Sequence, residues 1–464
     1  MSTLRPLLLF ALLANLPLPG EVVTTSAALV AAVRDGAAGA TITLGPGTFE
    51  LDAALAPKSG MTITGAGMDQ TIITGASGWK PSTASLPDPE MRTQGMDTAA
   101  YLFRLPDKAA KVTISAMTLR GPQVHGALFA WEPTDLHLDH LRIQDVLWSG
   151  VRTFGMKGAK ITDCEFIDAG GRWEHGQPGI KGGNTGGGIF AIWMADCEIA
   201  HNRFLRTQQA PQREFYGIKV RQAKRCLVLH NTIEANFSME FPFENDEDNE
   251  IAYNTCHGTI SIPKHAGGPV PASGTTFHFH HNLFLHGYAF EFVRNGVEID
   301  HNLFDFDVAK ADGMNCISAF GNADAAGPAS FHDNVVKNPG RGVIWMNEVF
   351  NHLEIRNNHI ITSTTPTPRK EGLFGLNPKS DFSTITIRDN VIECRGQARP
   401  LLRCAESDAA VIANNVLTNV ADTGNYANQM GTAKPGLQVP LEFSCGAHDE
   451  YRIAAEGFTL LQAK

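Results

Sequence analysis

The chain has 464 residues, a formal net charge of −10, and 43% hydrophobic against 19% charged residues. That balance excludes an intrinsically disordered chain, and the acidic surplus argues against a general nucleic-acid binder. Forty-five glycines fit a loop-rich, all-β chain.

In chain order, Arg5 is followed by the apolar run PLLLFALLANLPLP, too short to span a bilayer. Residues 1–20 therefore read as an export signal, leaving one domain over 21–464 in a secreted or periplasmic protein. No other stretch reaches membrane-spanning length, so no membrane partner is expected. Residues 24–36 (TTSAALVAAVRDG) predict a short amphipathic helix with a Thr or Ser cap and Gly36 at its end. ATITLGPGTFEL then reads as strand, turn and strand. A solenoid needs its open end covered, and this helix is the expected N-terminal cap. Strands follow at Met61, Val112, Leu136 and Lys160.

From Ile199 a phrase repeats: an aliphatic residue, two variable residues, Asn, one more residue and an apolar residue. The Asn falls at 202, 231, 254, 282, 302, 334, 358, 390 and 415. Its steps run from 20 residues (282 to 302) to 32 (302 to 334), so a constant turn carries loops of different length. One unit is too short to bury a core and must stack on its neighbours. Apolar alternation and β-branched residues make it a strand unit. The expected fold is all-β: a right-handed parallel β-helix, one solenoid from about residue 40 to 420 with an N-terminal cap helix.

In the earlier turns Met117, Leu141 and Cys164 occupy the Asn position. A recurring Asn can stack, hydrogen-bond to neighbouring turns and tolerate left-handed geometry, so its expected role is structural. The eight cysteines show no zinc spacing. Cys197 and Cys226 each lie five residues before a ladder Asn, within reach either of a disulfide or of simple thiol stacking. Polar or Gly-rich insertions at 80–100, 171–188, 265–275 and 362–372 read as walls of a binding face. The tail after about Val420 is expected to pack as a C-terminal cap.

Candidate chemistry lies 10 to 15 residues before the Asn, on the strand that opens each turn. In GIKVR (217–221), Ile218 and Val220 should face in, with Lys219 and Arg221 out. In MEFPF (239–243) the outward residue is Glu240, and Glu244 follows; Lys264 and His265 stand at the exit of the next strand, and Tyr216 at the entry of the Lys219 strand. Outward positions on other turns, such as Phe190, Phe290 and Ile344, read as apolar. At ~4.8 Å per turn the charged patch spans roughly 10–15 Å, two or three sugar rings. The alternative is a solvated charged face. The run ENDEDNE (Glu244 to Glu250) offers oxygen ligands for Ca²⁺, or simply a polar turn. No other metal or cofactor is expected.

The N-terminal segment TTSAALVAAVRDGAAGATITLGPGTFEL resembles the cap and first strand of secreted β-helix enzymes that act on acidic polysaccharides, such as alginate lyases and chondroitinase B-like lyases. The block from Tyr216 to Gly268, YGIKVRQAKRCLVLHNTIEANFSMEFPFENDEDNEIAYNTCHGTISIPKHAGG, resembles polysaccharide lyase family 31. That resemblance implies β-elimination on alginate or a related polyuronate by a monomer whose partner is the acidic polysaccharide. It implies proton transfer by Tyr216 with Lys219 or Lys264. Arg221, Glu240, Glu244, His265 and Lys181 would bind substrate. A mannuronan-type C5-epimerase, a glycoside hydrolase using Glu240 and Glu244, and a non-catalytic polysaccharide-binding solenoid are the competing readings.

Overall fold

The computed structural model describes residues 22–79, 101–169 (except 122 and 148), 187–207, 216–239 (except 235), 247–261, 277–306 (except 286–288 and 291–295), 315–318, 329–345, 352–362, 372–403 (except 377, 378 and 397), 411–421, 443–453 and 461–462. They fall into two compact units, one within Met1–Phe190 and Thr207–Phe215, the other within Ala191–Arg206 and Tyr216–Lys464. The export segment 1–20, the insertions 80–100 and 265–275, and all but the ends of the insertions 171–188 and 362–372 lie outside the described residues.

The first unit opens with the helix Ser26–Asp35. The Thr25 hydroxyl accepts the Ala28 N–H at 3.2 Å, and the Gly36 N–H closes the last turn on the Ala32 carbonyl at 2.9 Å. Leu29, Ala32 and Val33 form its buried face, which packs on the strands Thr41–Leu44 and Gly47–Leu51, as a cap should. Parallel strands then stack their inward residues into columns. Ile42, Ile63, Ile114, Leu138 and Ile161 form one, and Phe49, Ile73, Leu119, Ile143 and Phe166 another. All ten are buried. Each such side chain contributes roughly 1.5–3 kcal/mol of burial, so the columns are the cohesion of the unit.

The second unit repeats the arrangement. One column runs Ile199, Val228, Ile251, Phe279, Ile299, Phe331, Ile355, Ile387, Ile412. A second sheet carries Ile218, Phe237, Ile260, Phe290, Ile317, Ile344, Phe374 and Leu402 in register. Phe290 packs against Phe279, Phe284 and Phe304 at ring-centroid distances of 5.2, 5.2 and 6.3 Å. Phe290 and Ile344 therefore face inward, not outward as their spacing suggested.

All nine Asn of the repeat lie in one row and are buried. Along the row, each side-chain oxygen accepts both the backbone N–H and the side-chain N–H of the preceding Asn, as Asn231 does from Asn202 at 2.9 and 3.0 Å. Each side-chain amide also donates to a carbonyl of the previous turn, as Asn231 does to Ile199 at 2.9 Å. The left-handed residue of the corner is not the Asn but the residue before it. His201, His230, Tyr253, His281, His301, Asp333, Asn357, Asp389 and Asn414 have φ between 49° and 58°. Eight of these nine are His, Asn or Asp, the side chains most at home there. Their rings form a second stack: His201, His230, Tyr253 and His281 are spaced 4.9 Å apart, and His301 follows at 5.2 Å. In the first unit Met117, Leu141 and Cys164 fill the Asn position, and all three are buried.

Cys197 and Cys226 are buried thiols, not joined in a disulfide. A hydrogen bond from the Cys197 side chain holds the Cys226 pKa below its ordinary value, against the opposing effect of burial.

Of the tail expected to cap the C-terminal end, 422–442 and 454–460 lie outside the described residues; the described segment 443–453 packs elsewhere. Phe443 and Cys445 pack on Leu283, Leu303 and Val335 in the middle of the unit, not on its last turn. The Gly446 N–H bonds to the His281 carbonyl at 3.1 Å, and the Ala447 N–H to the Thr255 hydroxyl at 2.9 Å. The reason lies on the outer side of one strand position, which reads Arg203, Thr232, Thr255, Leu283, Leu303, Val335, His359, Val391, Val416. Its apolar run needs cover, and Phe443 and Cys445 supply it over Leu283 to Val335.

His359 sits in that same apolar row, and burial pushes its pKa down to about 4 from 6.5. Between those values the unfolded chain binds a proton that the folded chain refuses, so stability falls as pH drops from 6.5 toward 4. Replacing His359 by Val, the residue of its neighbours, should remove about 1–2 kcal/mol of that acid sensitivity, after discounting for partial exposure. Urea midpoints of wild type and His359→Val at pH 7 and pH 4.5 check it: the gap should widen at the lower pH in favour of the variant. Equal gaps at both pH values would refute the assignment.

Candidate functional site

The strand Tyr216–Val220 pairs in parallel with Asn236–Met239, and its register slips: Tyr216 stands opposite Asn236, but Ile218 opposite Phe237. Strict alternation would send Tyr216 and Lys219 to opposite faces. The extra residue, a β-bulge, turns them to the same one. Gly217 makes this fit. A Cβ there would lie 3.1 Å from side-chain atoms of Phe204 and Ile233, so position 217 faces the interior at close range. Ile218 belongs to the inward column of Phe290. The outcome is a pair: the Lys219 Nζ lies 4.6 Å from the centroid of the Tyr216 ring.

Tyr216 is 7% exposed and Lys219 2%. The expectation that Lys219 projects from the inward column holds, but its side is covered rather than open to solvent. Arg221 is half-buried just past the strand, and its backbone N–H bonds to the Ala191 carbonyl at 3.1 Å. In register with Lys219 on the next two turns stand Ser238 and Ser261. Lys181, Glu240, Glu244, Lys264 and His265 lie outside the described residues. Of the acidic run, Asp248 takes a left-handed turn at φ 48°, and the Asn249 side-chain Oδ1 accepts the Cys226 N–H at 3.1 Å. Glu247 pairs with Arg225 at 3.7 Å. The described part of the run is thus a polar turn; Glu244 to Asp246 lie outside the described residues.

Sequence reasoning passed over two features. In the first unit Arg152 is fully buried, its guanidinium 3.8 Å from the Phe190 centroid and 4.3 Å from that of Phe154. It stands in register with Phe129 and, one turn earlier, the exposed Arg104. Its signal was the Arg in GVRTF, at the place Lys occupies in GIKVR.

The second is a cluster on the other sheet of the second unit. The strands Phe277–His280, Val297–Asp300 and Ala329–His332 place His278 beside Glu298, and His280, Asp300 and His332 in one row. Asp300 is hydrogen-bonded to His278 Nε2, and its other oxygen lies 2.6 Å from His301 Nδ1. His332 lies between Glu298 at 3.0 Å and Asp333 at 2.7 Å. Burial opposes charge on Asp300, but the bonds to His278 and His301 outweigh it and lower its pKa. Burial likewise depresses His278 and His332, and the carboxylates bonded to them reverse the sign and raise both. His281 is pushed down to about 4 by burial and then by the repulsion of His280 and His301. The sequence carried the signal as columns in FHFHHN, VEIDHN and SFHDN, at positions that read as variable.

A family model described as a right-handed beta helix region matches residues 126–305. No curated protein matches the chain. Among solved structures, the chain is similar to the A-module of mannuronan C-5 epimerase AlgE6 from Azotobacter vinelandii, with 12% identity and a TM-score of 0.45 over 88% of this chain and 98% of that one. It is similar to PfbA, a surface adhesin of Streptococcus pneumoniae, with 12% identity and a TM-score of 0.43 over 82% and 88%. It is also similar to an alginate lyase from Paenibacillus sp. str. FPU-7, with 12% identity and a TM-score of 0.34 over 83% and 97%. No helix among the described residues is long and apolar enough to cross a membrane. The matched region and the parallel residue columns make the fold a right-handed parallel β-helix.

Proposed function

We propose that the protein is an exported polysaccharide lyase that cleaves a uronate-containing polysaccharide, alginate or a relative, by β-elimination. The observation that carries this reading is the bulge that sets Tyr216 and Lys219 on one side of a strand, ammonium against ring at 4.6 Å. The reaction asks for three things. Positive charge must meet the substrate carboxylate so that the C5 hydrogen becomes acidic; Lys219 and Arg221 provide it, and Lys219 provides it in a water-poor site where a fixed charge counts most. A base must take the C5 proton; Tyr216 would serve as phenolate, with the Lys219 ammonium 4.6 Å from the centroid of its ring. As the C5–H electrons form the C4–C5 double bond and the C4–O bond breaks, the leaving oxygen needs a proton, which the newly formed Tyr216 hydroxyl returns.

The test is the purified protein against alginate, glucuronan, pectate and glycosaminoglycans, with and without chelator. Lyase action raises absorbance at the unsaturated-uronate band together with new reducing ends. Reducing ends without absorbance would mean hydrolysis, and inverted C5 without either would mean epimerisation. Folded protein inactive on every polymer would end the enzymatic reading.

A further inference from the structure

We propose that His278, Glu298 and Asp300 form a site for one divalent transition-metal ion of the zinc class, on a sheet that does not carry the Tyr216–Lys219 pair. Three donor atoms, one from each residue, lie within 4.8 Å of one another. Bonds of ~2.0–2.2 Å put tetrahedral donors about 3.4 Å apart, so the three need close only slightly around an ion. They sit on strands, not loops: His278 and Glu298 are register partners on adjacent turns, and Asp300 is two residues along on the same face as Glu298. A spacing fixed by backbone pairing is the preorganisation a metal site requires.

The surroundings orient the donors. His301 Nδ1 holds the second oxygen of Asp300 at 2.6 Å, and His332 Nε2 holds Glu298 at 3.0 Å while its own Nδ1 is held by Asp333 at 2.7 Å. Chains of carboxylate and imidazole behind the ligands are what fix ligand orientation in metal centres. The site is open on one side, since the side chains of His278 and Glu298 are each 36% exposed, while Asp300 beneath is 10% exposed. Without metal, a proton between His278 Nε2 and Asp300 keeps the two donors together; the ion takes its place and the proton leaves to solvent. One imidazole with two carboxylates suits zinc and its neighbours. Calcium prefers six to eight oxygens and gains nothing from the ring nitrogen.

The experiment uses the full chain, stripped with chelator and desalted, titrated calorimetrically with Zn²⁺ and separately with Ca²⁺. One Zn²⁺ per chain should bind with micromolar or tighter affinity, and Ca²⁺ at least tenfold more weakly. Asp300→Asn and His278→Ala should each weaken Zn²⁺ at least tenfold. His140→Ala, in the exposed group Asp139, His140 and Asp163, should leave this site unchanged. Zn²⁺ should raise the melting temperature of wild type but not of His278→Ala, whose partly exposed ring can be lost without unfolding the chain. Absence of saturable Zn²⁺ binding, equal affinity for Ca²⁺, or wild-type affinity in both ligand variants would overturn the site. None of these readouts depends on polysaccharide cleavage.

Discussion

Asn282→Ala should bring the second unit close to unfolding. The Asn282 side chain accepts the Asn254 backbone N–H at 2.9 Å and its side-chain N–H at 3.0 Å, and donates to the Ile251 carbonyl at 2.8 Å and to Asn302 at 3.0 Å. It is fully buried, so no water replaces what alanine removes. Each buried group left without a partner costs about 1–3 kcal/mol, and the Asn254 backbone N–H is stranded outright. With the cavity added, the sum is about 4–6 kcal/mol, against a typical domain stability of 5–15. Asn282→Leu, which copies Leu141 of the first unit, should remove the cavity and keep most of the penalty. Asn415→Ala, the last Asn of the row, should cost less: among the described residues its side chain makes three bonds, to Asn390 twice and to Ile387. Denaturant midpoints for the three variants measure this order. An Asn282→Ala protein within about 1 kcal/mol of wild type would show that the ladder does not hold the turns together.

The ladder was legible because it is local and repeated. A phrase that returns with its Asn every 20 to 32 residues fixes strand, corner and inward column at once, and the cap helix announced itself through Thr25 and Gly36. Exceptions to the repeat were not legible. Counting alternate residues from Ile218 gives Lys219 its side correctly, but nothing in YGIKV shows that the strand carries one residue more than its neighbour. So the meeting of Tyr216 with Lys219 emerges only from the register. Phe290 and Ile344 were assigned the wrong face because an apolar residue looks the same from either side. The tail was expected at the last turn because an end needs a cover. Its described segment, through Phe443 and Cys445, lies instead on Leu283, Leu303 and Val335, an apolar stripe visible only once turns are aligned. The histidine columns were hidden by the same averaging: a position that holds Leu, Ala, His, Asp or Arg on successive turns reads as variable until the turns bearing His278, Asp300 and His332 are stacked.

On the proposed lyase reading, Tyr216→Phe should lower turnover on the cleaved polymer by about 10²–10⁴-fold, a loss far beyond any change in folded fraction. The substitution is chosen for what it keeps. Phenylalanine retains the ring that faces the Lys219 ammonium at 4.6 Å, so the attraction between them, about 2 kcal/mol where water is excluded, survives. Only the hydroxyl that would carry the proton is lost. A purely structural pair predicts the opposite pattern: Tyr216→Phe would be silent in activity, and Lys219→Met would act through stability. If Lys219 supplies charge to the substrate carboxylate, Lys219→Met should cost turnover when assayed under conditions where the variant is shown to be folded. Gly217→Ala tests the bulge itself. Its methyl would crowd Phe204 and Ile233 at 3.1 Å and press on the geometry that joins the pair, so activity should fall further than stability. A Tyr216→Phe enzyme retaining more than about a tenth of wild-type turnover would remove Tyr216 from the chemistry and, with it, the assignment of the bulged strand as the catalytic one.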